Sequence, residues 1–415
     1  MKHVVLFDNE SRTLYKSLEI NKYEILRRRR PILMSAQWFK NATVYHILID
    51  RFAGYRSNEW DKPKFLGGNI KGIIDKLDYI KELGINTIWI SPFYETSAYH
   101  GYHITNFLKV DPHFGDKDDL IELINNVHKT GMRIITDFVP NHCSHKHPFF
   151  LDAQENVNSK YKEWFYFKNW PDDYLCFLSF KELPKLNLDN QETFIHIIDS
   201  AKYWLNLGFD GYRLDHCIGP KHKFWKAFRE EVKNDYPDCV LIGEAWMRGI
   251  KFKELKTINI RRKYLKWFQG EASDALFKEY IGELDGVLDF AFQCIVRDFA
   301  KKRISKEKVI HQLQRHYRKF PSNFYLPTFL DNHDMDRFLF ECNNSIEVLK
   351  EAVKIQFSID QPKIIYYGTE VGISQEKFIR DVSLHGDLQA RRLMEWEKQD
   401  KDLLEFYKDI IQNKQ

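Results

Sequence analysis

Cysteine is scarce and scattered. Six stand in 415 residues (Cys143, Cys176, Cys217, Cys239, Cys294 and Cys342), with no Cys-x-x-Cys pair among them. That spacing argues against a zinc site and fits a reduced compartment. Long hydrophobic runs are also missing. Val4 to Phe7 is too short for a signal-peptide core and is followed at once by Asp8 and Glu10. No uncharged stretch is long enough to cross a membrane. Neither sign of charge dominates: 63 Lys and Arg stand against 59 Asp and Glu, a net +4. Such a balance argues against a nucleic-acid partner. The one basic run, Arg27 to Arg30, is closed by Pro31 and reads as a solvated helix end. The expectation is a soluble cytoplasmic protein, where the glycosylation-type patterns at Asn41 and Asn343 carry little weight.

The chain does have material for a large core. Hydrophobic residues make up 43%, aromatics 15% and charged residues 29%, which excludes disorder. Short apolar runs of strand length recur along it: 44–49, 87–91, 133–138, 211–214, 240–242, 286–290, 325–330 and 363–367. Helical spacing falls between several of them, over 72–83, 117–130, 192–207, 223–234 and 346–358. Alternation of this kind predicts a parallel sheet. Eight units fit an α/β fold of the (β/α)8 barrel type, and a doubly wound open sheet is the competing architecture. No Gly-x-Gly-x-x-Gly follows the first strand, which counts against a dinucleotide domain. Residues 142–190, rich in aromatics, Pro, Asn and Asp, predict an inserted subdomain after the third strand, overhanging the barrel's C-terminal end. The expected division is an extension over 1–43, a barrel over 44–141 and 191–415, and this insertion.

Catalytic groups in such barrels sit where strands end. Asp215 closes Gly211-Tyr-Arg-Leu-Asp215, Glu244 closes Val240-Leu-Ile-Gly-Glu244, and Asp334 follows Phe329-Leu-Asp-Asn-His. Asp137 and His142 flank the third strand's end. Arg213, two residues before Asp215, shares its side of the strand. Cleavage of a glycosidic bond needs two carboxyl groups, one ionised and attacking, the other protonated and donating. An arginine beside the first would keep it charged. A metal-dependent hydrolase or lyase accounts for converging carboxylates as well. Its histidine signature is weak here, because His145 and His147 lie past the strand end and read as solvated loop residues.

At these residues the chain resembles the α-amylase family of glycoside hydrolases. Asp137-Phe-Val-Pro-Asn-His142, Gly211-Tyr-Arg-Leu-Asp215, Gly243-Glu-Ala-Trp246 and Leu330-Asp-Asn-His-Asp334 resemble its motifs, in order. Gly84-Ile-Asn-Thr-Ile-Trp-Ile-Ser-Pro92 and Tyr99-His-Gly-Tyr102 match as well. The resemblance implies Asp215 as nucleophile, Glu244 as acid/base and Asp334 as stabiliser of the distorted sugar. It implies that Arg213, His142 and His333 hold that sugar, that Tyr102 stacks on it, and that Arg337 reaches a neighbouring subsite. Asp137 and Asn141 read as structural, Cys143 and Cys217 as packing residues. Leu183-Pro-Lys-Leu-Asn187 is similar to the form in the neopullulanase, cyclomaltodextrinase and maltogenic amylase subgroup.

The implied reaction is retaining hydrolysis of α-1,4-glucosidic bonds in short maltooligosaccharides, cyclodextrins or related α-glucans. The alternatives are an α-glucan transglycosylase or α-glucosidase and, more remotely, an inactive carbohydrate-binding relative. His103 follows Tyr102 where many relatives carry Asp, which argues against a pure α-glucosidase. No full C-terminal β-domain is expected, and the oligomeric state stays open. No cofactor is expected. Asp50-Arg-Phe-Ala-Gly-Tyr-Arg-Ser57 lacks the oxygen ligands of the family's first-loop calcium site. Asn141 remains from the other common calcium site, but Gly219 stands where those relatives place a histidine ligand. Metal ligands are therefore expected to be none.

Overall fold

The computed structural model describes residues 36–247, 252–259 and 271–413. Most of the expected N-terminal extension, including the apolar stretch 4–7 and the basic run 27–30, lies outside the described residues. Residues 36–42 pack on the barrel: Ala36, Phe39 and Ala42 are buried, and the Tyr325 hydroxyl donates to Ala36 O at 3.1 Å.

Eight parallel strands form the centre: β1 (Thr43–Ile47), β2 (Thr87–Ile90), β3 (Arg133–Phe138), β4 (Gly211–Leu214), β5 (Val240–Gly243), β6 (Gly286–Val287), β7 (Thr328–Phe329) and β8 (Lys363–Tyr366). Their order is β6-β5-β4-β3-β2-β1-β8-β7. A parallel bridge from Gly286 to Tyr325, just ahead of β7, joins the two ends. The sheet is a closed barrel, and the open-sheet alternative falls. These strands are short and apolar because both faces are covered, one by barrel interior and one by helices. β4 starts with glycine for a steric reason. Gly211 has φ +150°, and a Cβ there would lie 2.2 Å from Val240 O on β5.

The helices begin at side chains that accept from exposed backbone N–H groups. Asp116 caps Lys117–Lys129, Asn190 caps Gln191–Asn206, Ser345 caps Ile346–Ser358 and Asp400 caps Lys401–Gln412. The helix expected over 72–83 is two pieces, Ile70–Ile74 and Leu77–Glu82. Ile70, Ile73, Leu77 and Ile80 stay buried across the break, so the apolar spacing reads as one helix.

Past β3, the chain from His142 to Lys185 leaves the barrel and returns, and these two residues pair in an antiparallel bridge. Between them lie the helix Pro148–Glu155 and two short hairpins, Phe167–Asn169 with Asp173–Tyr174 and Cys176–Phe177 with Phe180–Pro184. His147 is not a solvated loop residue. It is buried, and its ring accepts from Phe149 N at 3.2 Å, capping a helix that starts at Pro148.

Candidate active site

The barrel's C-terminal rim gathers the acidic residues. Arg213 on β4 stands level with Asp137 on β3 and Ile242 on β5. This register puts Asp137 beside the guanidinium. Nη1 of Arg213 lies 2.7 Å from Asp137 Oδ1 and 2.8 Å from Asp215 Oδ1. Nη2 lies 2.5 Å from Glu244 Oε1. One buried guanidinium therefore faces three carboxylates from three adjacent strands. Trp89 of β2 donates to the far oxygen of Asp137 at 2.6 Å. His46 of β1 stacks on Trp89 with centroids 3.6 Å apart. The second Glu244 oxygen accepts from His216 N at 3.1 Å.

Burial drives the acidities. It pushes Asp215 up to about 6, with Arg213 opposing and Asp334 adding to the rise. It pushes Glu244 further, to about 8, again against Arg213, because Asp215 and Asp334 add negative charge nearby. Burial thus raises both carboxyls, and the shared Arg213 guanidinium opposes each rise. Asp137, wholly buried, is raised to about 7 by desolvation, with Arg213 pulling down and Asp215 pushing up.

Asp334, which adds to the rises of Asp215 and Glu244, has partners of its own. His333 Nε2 lies 2.8 Å from Asp334 Oδ2, and Arg391 Nη2 lies 2.8 Å from Asp334 Oδ1. Crowding raises its pKa, but His333 and Arg391 outweigh that and hold it well below the usual carboxylate range. Tyr102 stacks on His333 with centroids 5.3 Å apart and planes within 7°. Phe177 of the insertion lies 4.8 Å from His142 and 4.6 Å from His216, ring centroid to ring centroid. Burial holds His142 near 3, with His103 and Lys185 adding positive charge. Tyr102 OH, His142 Nε2, His216 Nε2 and His333 Nδ1 are among the buried polar atoms with no hydrogen-bond partner among the described residues. Buried polar atoms are normally paired. A group of them beside two carboxyls suits a ligand rich in hydroxyls.

The structure thus brings together Asp215, Glu244, Asp334, Arg213, His333 and Tyr102, with His142 beside Phe177. Arg337 lies apart from these contacts. It is fully buried, lies over the Tyr366 ring at 4.0 Å and donates to Ala390 O and Tyr367 O. Its Nη2 is buried with no hydrogen-bond partner among the described residues. The arginine that does reach Asp334 is Arg391, from the segment after β8. It also contacts Tyr99 OH at 3.1 Å and Asp387. No spacing in that segment announced it.

A (β/α)8 barrel with paired buried carboxyls around one guanidinium on its C-terminal rim defines an enzyme-type site. The family model described as "Alpha amylase, catalytic domain" matches residues 46–405, and the chain belongs to the α-amylase family. It is 38% identical over 384 residues to Alpha-amylase 2 of Dictyoglomus thermophilum, covering 90% of this chain and 63% of that protein. It is 31% identical over 397 residues to the intracellular maltogenic amylase of Bacillus subtilis strain 168, covering 90% and 62%. The chain thus spans less than two thirds of these relatives' length. Among solved structures, the ligand-free cyclic α-maltosyl-(1→6)-maltose hydrolase of Arthrobacter globiformis superposes with a TM-score of 0.77. It shares 26% identity, with 91% of this chain and 83% of that one covered.

Proposed function

We propose that this chain is a retaining glycoside hydrolase cleaving α-1,4-glucosidic bonds of short maltooligosaccharides, cyclodextrins or related α-glucans. The observation that carries the reading is the meeting of Asp215 and Glu244, from adjacent strand ends, on the single Arg213 guanidinium, where burial raises both carboxyls. Asp215, ionised, attacks the anomeric carbon. Glu244, protonated, gives its proton to the leaving glycosidic oxygen. The Glu244 carboxylate then takes a proton from the water that breaks the glycosyl–Asp215 ester, and two inversions leave the α configuration. Asp334, fixed by His333 and Arg391, accepts from ring hydroxyls as the sugar flattens. Tyr102 and His142 form the walls of that subsite.

The substrate class rests on the relatives' names, an amylase, a maltogenic amylase and a hydrolase of a cyclic maltosyl-maltose. The relative named intracellular supports a cytoplasmic setting. Among the described residues no helix is long and apolar enough to cross a membrane.

The test combines product analysis with NMR of the first-formed anomer, on maltotriose, β-cyclodextrin and pullulan. The reading expects maltose and glucose from maltotriose and β-cyclodextrin, and from pullulan trisaccharides that keep its α-1,6 link, α-anomer first in each case, and no products from Asp215→Asn. A β-anomer first, or unchanged turnover by that variant, rejects the mechanism. Products longer than the substrate, at high substrate concentration, would move the reading to a transglycosylase.

A further inference from the structure

Behind the His142 wall, Lys185 is buried at 6% exposure. Its Nζ donates to Gly219 O at 2.7 Å and, in a very short contact, to Thr257 O. Three chain segments meet at this ammonium: the returning end of the insertion, the loop after β4, and the stretch after β5. Asn259 Nδ2 donates to the same Gly219 carbonyl at 2.6 Å. Asn141 packs directly on Gly219. A Cβ on that glycine would fall 2.1 Å from Asn141 Oδ1, and this oxygen is buried without a hydrogen-bond partner among the described residues.

Buried carbonyl and carboxamide oxygens of this kind are what calcium seeks, six to eight at a time. The residues present do not fit it. Lys185 already donates into two of the oxygens, so a divalent ion would stand against a like charge in a poorly screened interior. Among the described residues no group of three or more His, Cys, Asp or Glu is placed to hold a metal. At the first loop, Asp50 is spent on Arg51 and on the Leu66 and Gly67 amides.

We propose that the Lys185 ammonium is the resident cation of this site, fastening the insertion to the loops after β4 and β5 in place of a divalent ion. Burial, with help from Lys221, pulls the lysine's pKa down to about 7, and Asp189 opposes. The two carbonyls favour the charged form. That charge adds to burial in keeping His142 and His216 neutral.

Melting temperatures at pH 6, in EDTA and in millimolar CaCl2, test this without reference to turnover. The wild type is expected to melt at the same temperature in both. Lys185→Met should melt several degrees lower in both, having lost the cation and gained no ligand. Lys185→Asp places a carboxylate among the same oxygens. It should melt lower in EDTA and recover on titration with calcium, giving a saturable calcium dependence that the wild type lacks. A wild type that melts lower on chelation and is restored by calcium overturns the proposal. So does a Lys185→Met protein as stable as the wild type, or a folded Lys185→Asp protein indifferent to calcium. If neither variant folds, the wild-type chelation result decides alone.

Discussion

Arg391 Nη2 lies 2.8 Å from Asp334 Oδ1, joining the segment after β8 to the rim of β7. The same arginine donates from Nε to His333 O at 3.0 Å. It therefore orients both the backbone and the carboxylate of the residue pair proposed to grip the distorting sugar. Arg391→Ala is expected to leave the fold intact and lower kcat/KM. Asp334 is half open to solvent, its side chain 45% exposed, so screening limits the loss. A charge-assisted contact of this kind is worth about 1–2 kcal/mol, roughly 5- to 30-fold in rate. Arg391→Lys restores charge but not the fork and should recover only part. Steady-state kinetics on maltotriose decides, and unchanged kcat/KM for Arg391→Ala would remove Arg391 from the site.

The rate should depend on pH on both sides. Asp215, near 6, must be ionised, and Glu244, near 8, must be protonated. Activity rises as pH climbs through the first value and falls as it passes the second. The expected profile of kcat/KM is a bell centred near neutrality, its limbs belonging to the coupled pair. Glu244→Gln should lower the rate by about 10²- to 10⁴-fold, the usual share of a general acid, and should abolish the alkaline limb. An alkaline limb that persists in this variant would mean that another group donates the proton.

The sequence made the barrel legible because eight buried strands leave eight short apolar runs, and because capped helices keep apolar residues on one face. It made Asp215, Glu244 and Asp334 legible because strand ends fix where their side chains gather. For Arg337, proximity along the chain to Asp334 says nothing about direction. Its backbone turns into the helix Phe338–Glu341, and its side chain donates to two carbonyls. Arg391 was invisible for the converse reason: 57 residues separate it from Asp334, and only closure of the barrel joins them. Trp89 was read as one apolar strand residue, since a hydrogen bond from its indole to Asp137 leaves no trace in spacing.

Gly211 supplies a stability test close to the chemistry. Its φ is +150°, and an added methyl carbon would sit 2.2 Å from Val240 O, so an alanine must displace β4 or β5. Gly211→Ala is expected to cost about 3 kcal/mol, the range of backbone-incompatible substitutions. Because Arg213 and Asp215 follow on the same strand, kcat should fall together with the denaturation midpoint. A variant as stable as the wild type would show that the strand tolerates the shift.

Stability should also fall on the alkaline side through His316, buried between two aspartates. Its Nδ1 lies 2.5 Å from Asp274 Oδ1 and its Nε2 3.1 Å from Asp289 Oδ2. Burial disfavours the charged ring, but Asp289 and Asp274 outweigh it and raise the pKa to about 10. Unfolded histidine titrates near 6.5, so the folded state binds the proton more tightly. The stabilisation is full below about pH 6.5 and drains away as pH rises toward 10. Asp289 also caps the helix Phe290–Ala300, so the charged ring secures the start of the element that follows β6. His316→Gln should therefore be strongly destabilised at pH 6 and approach the wild type by pH 10. Denaturation midpoints for both proteins at several pH values give the comparison. A gap that stays constant across that range would mean that His316 is neutral in the fold.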